Sequence, residues 1–159
     1  MQERKLIGKK ELKDAERFLF TIDEDWENLI NEIGQCDIKL TRSLEPFQAL
    51  IKSVVFQQLN PKAANSIYKR FLDIFDGSFP NAKKIITINY EILKKCGLSK
   101  NKLICIKTIA KLASQKKIPT KKAIQNLSNL TIHEQLQKIK GVGPWTVDML
   151  LIFNLGRLD

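Results

Sequence analysis

The 159-residue chain has few glycines, prolines and cysteines, and each shortage excludes a class of protein. Seven glycines and five prolines, with 43% hydrophobic residues, exclude a fibrous or disordered chain and allow a real core. Three cysteines, Cys36, Cys96 and Cys105, have no metal-ligand spacing and leave one thiol unpaired, which fits a reducing compartment. We therefore interpret them as small core residues.

Long apolar runs are also absent. No run approaches the ~18 residues that a membrane span needs. The charged N-terminus is not followed by the apolar core of a secretory signal. We therefore expect one domain over residues 1–159, with no membrane partner and no secretion.

Acidic residues are missing from the whole stretch between Glu91 and Glu134. The same stretch contains ten lysines, and the chain as a whole carries 27 basic against 17 acidic residues, a formal charge of +10. A basic field without carboxylates attracts a polyanion and makes its binding depend steeply on salt. The alternative is a lysine-rich composition displayed on a solvated surface.

The apolar spacing predicts an all-α fold. Residues 26–33 place apolar side chains on one helical face, and Gly34 ends that helix. A second, strongly apolar helix covers residues 47–55, and Pro61 opens the next one. Ser99 caps a helix whose apolar residues face a core and whose lysines face outward. No convincing period-2 strand, repeat or low-complexity linker interrupts this pattern.

The most informative segment is the run from Leu136 to Leu150, in which Gly-Val-Gly-Pro separates two apolar-periodic stretches. It predicts a helix-hairpin-helix over residues 131–155, with Thr131 and Glu134 forming a capping box at the first helix. Pro144 suits the first position of the second helix. The amides at that helix start have no intrahelical partner, and glycine lets a phosphate approach them.

Three segments in order, 54–64, 96–102 and 136–151, resemble the 3-methyladenine DNA glycosylase II branch of the helix-hairpin-helix glycosylase superfamily. The resemblance covers about residues 20–159 and implies a base-excision repair enzyme that flips alkylated purines out of double-stranded DNA and hydrolyses their N-glycosidic bond. It also implies the helix-hairpin-helix glycosylase fold, here without its closing C-terminal helices. The DNA partner implies the nucleoid of a bacterium or archaeon, or a eukaryotic nucleus.

The resemblance implies roles for residues at matching positions. In the loop Gln57-Gln58-Leu59, here called the glutamine loop, Gln58 and Leu59 would fill the gap left by the flipped nucleotide. The alternative is that Gln57 and Gln58 satisfy only helix-end backbone groups. The implied phosphate ligands are the backbone amides of Gly141 and Gly143 and the side chains of Lys100, Lys102 and Lys140. The implied cation ligands are the backbone carbonyls of Gln137, Ile139 and Val142, which would hold a structural Na⁺ or K⁺; the chemistry itself needs no cofactor.

Trp145 occupies the position where strand-cleaving relatives carry a Schiff-base lysine. No amine nucleophile is therefore available there, and the resemblance implies a monofunctional glycosylase. An indole face attracts a cation by about 0.5–2 kcal/mol, and an alkylated purine carries positive charge, so Trp145 is predicted to line the base pocket. The alternative is that Trp145 packs in the core.

The catalytic carboxylate of the family has no counterpart in this sequence. Asp159 matches an aspartate a few residues before it, and the family position falls beyond Asp159, so we assign no catalytic residue. We expect Asp148 to contact solvent or a lysine, and His133 to contact solvent.

Without closing helices, we also expect part of the apolar face of residues 147–155 to be uncovered, including Val147, Leu150, Leu151 and Phe153. The protein is then expected to be a monomer unless that face pairs. Two alternative functions stay open: a DNA-binding remnant without hydrolysis, and a helix-hairpin-helix module that tethers another protein.

Overall fold

The computed structural model describes residues 6–158, which form α-helices joined by short turns. In chain order the α-helices are α1 Lys9–Phe20, α2 Glu24–Ile33, α3 Pro46–Phe56, α4 Pro61–Asp73, α5 Ala82–Thr87, α6 Tyr90–Lys94, α7 Lys100–Ser114, α8 Lys121–Ile124, α9 Asn129–Leu136 and α10 Pro144–Met149. A π-helical turn, Leu150–Asn154, continues α10. The only extended pairing within residues 6–158 is an isolated bridge between Leu6 and Arg157. The predicted all-α class is confirmed.

Local sequence signals explain where several helices begin. The Asn60 side chain accepts a hydrogen bond from the Ala63 amide at 2.9 Å, and Pro61 takes the first position of α4. Ser99 caps α7 in the same way, through the Lys102 amide. Within residues 6–158, no helix combines the length and apolarity that a membrane crossing requires.

Helices α3 and α7 form the centre of the core. Helix α4 packs on α3, α5 and α6 pack on α7, and α10 with the π-helical turn also packs on α3. Their fully buried side chains include Leu50, Ile51, Val54, Leu103 and Ile106. Burying each such side chain contributes about 1.5–3 kcal/mol relative to exposure. The functional site is therefore built on helices that contribute many of the buried core residues.

The expectation of an uncovered C-terminal face is wrong for three of its four named residues. Val147 and Leu150 are fully buried and Leu151 is 4% exposed, whereas Phe153 is 36% exposed. Helix α3 covers this face, and the Thr41 amide donates to the Phe153 carbonyl at 2.6 Å. The prediction failed because it assigned the covering role only to later helices, although α3 packs there.

The N-terminal pair α1 and α2 carries several exposed apolar side chains, among them Phe18, Trp26 and Ile33. These helices contact each other and contribute no buried residue. They are attached to the rest through Ile7, whose amide donates to the Gly156 carbonyl at 2.7 Å and whose carbonyl accepts from Arg42. Helix α2 matches the prediction, with Gly34 at its end. Helix α1 has no counterpart in the prediction, because charged residues dominate its sequence and dilute the apolar spacing.

Candidate functional site

The predicted hairpin consists of α9, a turn over residues 137–143, and α10. Its start differs from the prediction: Ser128, not Thr131, caps α9, with its Oγ accepting from the Thr131 amide at 3.0 Å. The Thr131–Glu134 capping box is therefore wrong by three residues. Ser128 is as good a cap as threonine, and it allows one more turn of helix.

Gly141 determines how closely the hairpin approaches α7. Its φ is +93°, a backbone conformation that side chains disfavour. A Cβ at this position would lie 3.0 Å from Sγ and 3.1 Å from Cβ of Cys105, a buried residue of α7. Burial raises the pKa of the Cys105 thiol to about 11, so at neutral pH this thiol is an inert packing group.

The hairpin amides predicted to bind phosphate have no hydrogen-bond acceptor among residues 6–158. Neither the Gly141 nor the Gly143 amide donates a hydrogen bond to any of the described residues. Gly141 and the neighbouring Lys140 are exposed, and Lys100 is exposed at the start of α7. Free amides beside exposed cations suit an anionic oxygen. The phosphate role of these four residues stays a prediction.

The predicted cation ligands lie in the same turn. The Ile139 carbonyl accepts the Val142 amide at 2.9 Å, which leaves its second lone pair available. Backbone carbonyls such as those of Gln137, Ile139 and Val142 are hard oxygen donors, and these suit an alkali-metal ion. Their chemistry fits a Na⁺ or K⁺, and the cation stays a prediction.

The glutamine loop follows α3 and presents its tip to solvent. Gln58 is exposed and has φ +54°, an uncommon conformation for a residue other than glycine. Leu59 is 38% exposed. Strained backbone of this kind persists only where its surroundings hold it, and it concentrates at functional sites. The two residues predicted to enter DNA are therefore both accessible at the tip of this loop.

Two side chains hold the glutamine loop. Gln57 Nε2 donates to the Gly141 carbonyl at 3.1 Å and to Thr146 Oγ1 at 2.8 Å, which ties the loop to the hairpin. Lys102 Nζ donates to the carbonyls of Val55 and Gln57, each at 2.8 Å. The alternative that Gln57 satisfies only the end of its own helix is thus wrong. Burial lowers the pKa of the Lys102 ammonium.

Lys102 was predicted to be a phosphate ligand, but in the structure its ammonium group forms hydrogen bonds within the protein. Two of its three N–H donors are directed at backbone carbonyls at the end of α3, and the residue is half-buried. Lys100 is exposed and has no such contact. Sequence alone shows no signal for this contact, because Lys102 is 45 residues from the carbonyl it reaches.

A cavity of about 400 Å³ opens beside the glutamine loop. Its wall includes Leu59, Trp145, Met149 and Phe153. Trp145 is 51% exposed and also lines a second cavity of about 510 Å³ between the loop and the start of α10. The alternative of core packing for Trp145 is therefore wrong. A mostly apolar recess of this size matches what a flat heterocyclic ligand requires.

Polar groups at the cavity wall are basic or neutral. Lys39 and Lys52 line it, with Lys52 Nζ 5.6 Å from the ring centre of Tyr68, and none of the described lining residues is a carboxylate. Asn154 was not predicted. Its amide nitrogen donates to the carbonyls of Thr41 and Leu44, which fixes the wall, while its buried Oδ1 has no partner among the described residues.

The prediction for His133 is wrong, because its side chain is only 23% exposed and pairs with Asp148, whereas the Asp148 side chain is 46% exposed and contacts solvent as expected. His133 Nε2 lies 3.0 Å from Asp148 Oδ1, and its other ring nitrogen pairs with Gln137 at 2.8 Å. The pair joins α9 to α10, and neither residue lines the cavity. Histidine and aspartate meet because the hairpin brings two distant helical turns together. Asp159 lies outside the described residues.

A family model described as HhH-GPD superfamily base excision DNA repair protein matches residues 51–149. The chain is 42% identical over 152 residues to DNA-3-methyladenine glycosylase 1 of Schizosaccharomyces pombe, across 93% of this chain and 66% of the relative. It is 38% identical over 149 residues to the alkylbase DNA glycosidase-like protein mag2 of the same organism, across 92% of this chain and 70% of the relative.

The solved structure of the Schizosaccharomyces pombe 3-methyladenine DNA glycosylase Mag1 in complex with abasic DNA superposes with a TM-score of 0.82 at 42% identity. The match covers 89% of this chain and 70% of that one. The chain thus spans about two thirds of the length of these relatives. The matched residues 51–149 include the glutamine loop, Lys102, the hairpin glycines and Trp145.

Proposed function

We propose a DNA-repair function for this chain, because it belongs to the HhH-GPD superfamily of base excision DNA repair proteins. Its proposed activity is that of a monofunctional DNA glycosylase, which hydrolyses the N-glycosidic bond of alkylated purines such as 3-methyladenine. Two relatives at 38% and 42% identity carry names of alkyl-base glycosylases, and they support this substrate class. The proposed partner is double-stranded DNA carrying an alkylated base.

One observation carries the proposal. The free hairpin amides, the exposed glutamine loop and the cavity with Trp145 lie side by side, since Gln57 contacts the hairpin and Trp145 lines the cavities on both sides. Removal of a base from a duplex needs an anchor on the backbone, a group that fills the gap, and a recess for the base. The adjacency of the hairpin amides, the glutamine loop and the cavity supports assigning these three roles to them.

Each part has a proposed role. The amides of Gly141 and Gly143, with Lys100 and Lys140, bind phosphates on one strand. Gln58 and Leu59 occupy the gap, and Trp145 stacks on the flipped base, where a cationic purine gains about 0.5–2 kcal/mol. No lysine stands at position 145 to form a Schiff base, which supports hydrolysis of the glycosidic bond without strand cleavage.

The alternative function is DNA binding without hydrolysis. It is favoured by one observation, the lack of a carboxylate among the described residues that line the cavity. An oxocarbenium-like sugar needs such a carboxylate on the face opposite the departing base. A simple tethering hairpin is less well supported, because it needs neither an exposed glutamine loop nor a cavity.

Three further expectations belong to the proposal. A structural Na⁺ or K⁺ is held by the carbonyls of Gln137, Ile139 and Val142 and supports the hairpin without taking part in the chemistry. The protein acts as a monomer on DNA, which is consistent with the buried Val147 and Leu150. Its location is that of chromosomal DNA: the nucleoid of a prokaryote or the nucleus of a eukaryote.

The test is release of free base from methylated duplex DNA at low salt, with strand nicks counted separately. Release without nicks supports a monofunctional glycosylase. No release, from a folded chain that prefers abasic over intact duplex, supports the binding remnant. Equal affinity for both duplexes supports the tether and contradicts both other functions.

A further inference from the structure

The contact between Lys102 and the end of α3 carries an inference beyond the roles proposed above. Helix α3 ends at Phe56, so the carbonyls of its last turn have no intrahelical partner. Lys102 Nζ reaches two carbonyls there, those of Val55 and Gln57, at 2.8 Å each. A half-buried ammonium with two good acceptors is held in one position rather than sampling solvent.

The second of these bonds acts directly on the glutamine loop. The Gln57 carbonyl belongs to the peptide group that leads into Gln58, the residue with φ +54°. A donor that fixes the orientation of this peptide group favours one backbone conformation at Gln58 over the extended alternatives. Lys102 therefore stabilises the conformation that places the Gln58 side chain at the tip of the loop.

The side chain of the same residue, Gln57, ties the loop to the hairpin. Gln57 Nε2 donates to the Gly141 carbonyl and to the buried Thr146 hydroxyl. Helix α7 and the hairpin thus both hold the same short loop, α7 through the Gln57 carbonyl and the hairpin through the Gln57 side chain. The spacing between the hairpin amides proposed to bind phosphate and the tip of the glutamine loop is consequently set in the free protein, before DNA binds.

We propose that Lys102 is a positioning residue that presets Gln58 for insertion into DNA, and that it does not bind phosphate itself. The inference rests on the proposed function, since it concerns a loop that enters the duplex. It predicts that Lys102 contributes to the preference for a duplex with a gap. It contributes little to general affinity, which depends on phosphate contacts.

Three matched variants test this on the whole chain, each replacing a lysine by an unbranched side chain of similar length. Lys102→Met removes the contact with the loop. Lys100→Met removes an exposed lysine of the same helix, two residues away. Lys107→Met removes an equivalent contact elsewhere, because Lys107 Nζ donates to the carbonyls of Ile86 and Ile88 at 3.2 and 2.7 Å. Affinity for abasic and intact duplex is measured for each variant over a range of salt concentrations.

We expect Lys102→Met to lower the abasic-over-intact affinity ratio by about tenfold, the effect of one charge-assisted hydrogen-bonded contact. Its salt slope should remain that of the wild type. Lys100→Met should weaken binding to the abasic and the intact duplex equally, and it should reduce the slope of log affinity against log salt concentration by about 0.9. Lys107→Met should lower the stability of the fold but leave the abasic-over-intact affinity ratio unchanged. Lys102→Arg should retain most of the wild-type ratio, because the guanidinium keeps N–H donors for the two carbonyls.

A wild-type measurement covers the case in which Lys102→Met does not fold. Lysine acetylation followed by mass spectrometry should show that added abasic duplex protects Lys100 but leaves the labelling of Lys102 unchanged. New protection of Lys102 by DNA would overturn the inference, as would a wild-type affinity ratio in Lys102→Met. A wild-type chain that does not prefer abasic duplex would overturn the proposed function and this inference with it.

Discussion

Substitution of Gly141 by alanine tests the hairpin geometry most directly. The φ of +93° costs a residue with a Cβ about 1–2 kcal/mol. The added methyl would also lie 3.0 and 3.1 Å from two atoms of the buried Cys105, and such overpacking costs about 1–3 kcal/mol. We therefore expect Gly141→Ala to lower the free energy of unfolding by about 2–5 kcal/mol.

The measurement is denaturant and thermal unfolding, where each kcal/mol corresponds to about 2–4 °C in a domain of this size. Gly143→Ala is the matched control, because Gly143 has φ −94° and nothing within 4 Å of its Cβ position. Gly143→Ala should lower the free energy of unfolding by less than about 1 kcal/mol, because it loses only a favourable capping residue.

A double-mutant cycle isolates the contact with Cys105. Cys105→Ala removes the sulfur but keeps the Cβ, so it should recover about 1 kcal/mol when combined with Gly141→Ala. Equal stability of Gly141→Ala and Gly143→Ala would refute the close approach of the hairpin to α7. A cycle without coupling would show that the Cys105 sulfur does not contribute to the requirement for glycine at position 141.

Three more results are expected. Gln58→Ala should weaken binding to abasic duplex by more than to intact duplex in a direct titration of both; equal loss would contradict insertion into the gap. Trp145→Leu should lower the affinity for duplex carrying a cationic alkylpurine by about 2- to 30-fold, and the affinity for a neutral lesion by less. Fluorescence anisotropy measures both affinities. Equal losses would mean that Trp145 contributes only apolar contact and no attraction to the cation. The pKa of Cys105 is raised from 9.0 to about 11, so its contribution to stability is complete below pH 9 and is lost as the pH rises through 11. Over that range the stability of the wild type relative to Cys105→Ala should fall by at most about 2–3 kcal/mol, and an unchanged difference would contradict the burial of this thiol.

Much of the fold is predictable because its signals are local. The apolar spacing of residues 26–33 and 47–55, the proline at the start of α4 and the Gly-Val-Gly-Pro run each act within a few residues. The α9 cap shows where such reasoning fails, because Ser128 and Thr131 are both acceptable and a difference of a few tenths of a kcal/mol decides between them.

The composition of the site is only partly predictable. Gln58, Leu59 and Trp145 are accessible at the surface where the pattern placed them, and their roles there stay proposals. The contacts made by Gln57 and Lys102 span 84 to 89 and 45 to 47 residues of sequence, respectively, and no local pattern encodes such distances. Asn154 is similar, because its partners lie 110 and 113 residues away.

The helical class, the hairpin and the basic character of the chain can be read from the sequence, since they depend on residue spacing and charge. The partner of each polar group depends instead on how the helices pack. Packing pairs His133 with Asp148, buries Val147 and Leu150 under α3, and directs Lys102 toward the glutamine loop. Hydrogen bonding and burial depend on which helices meet in space, and that is a property of the whole packed core.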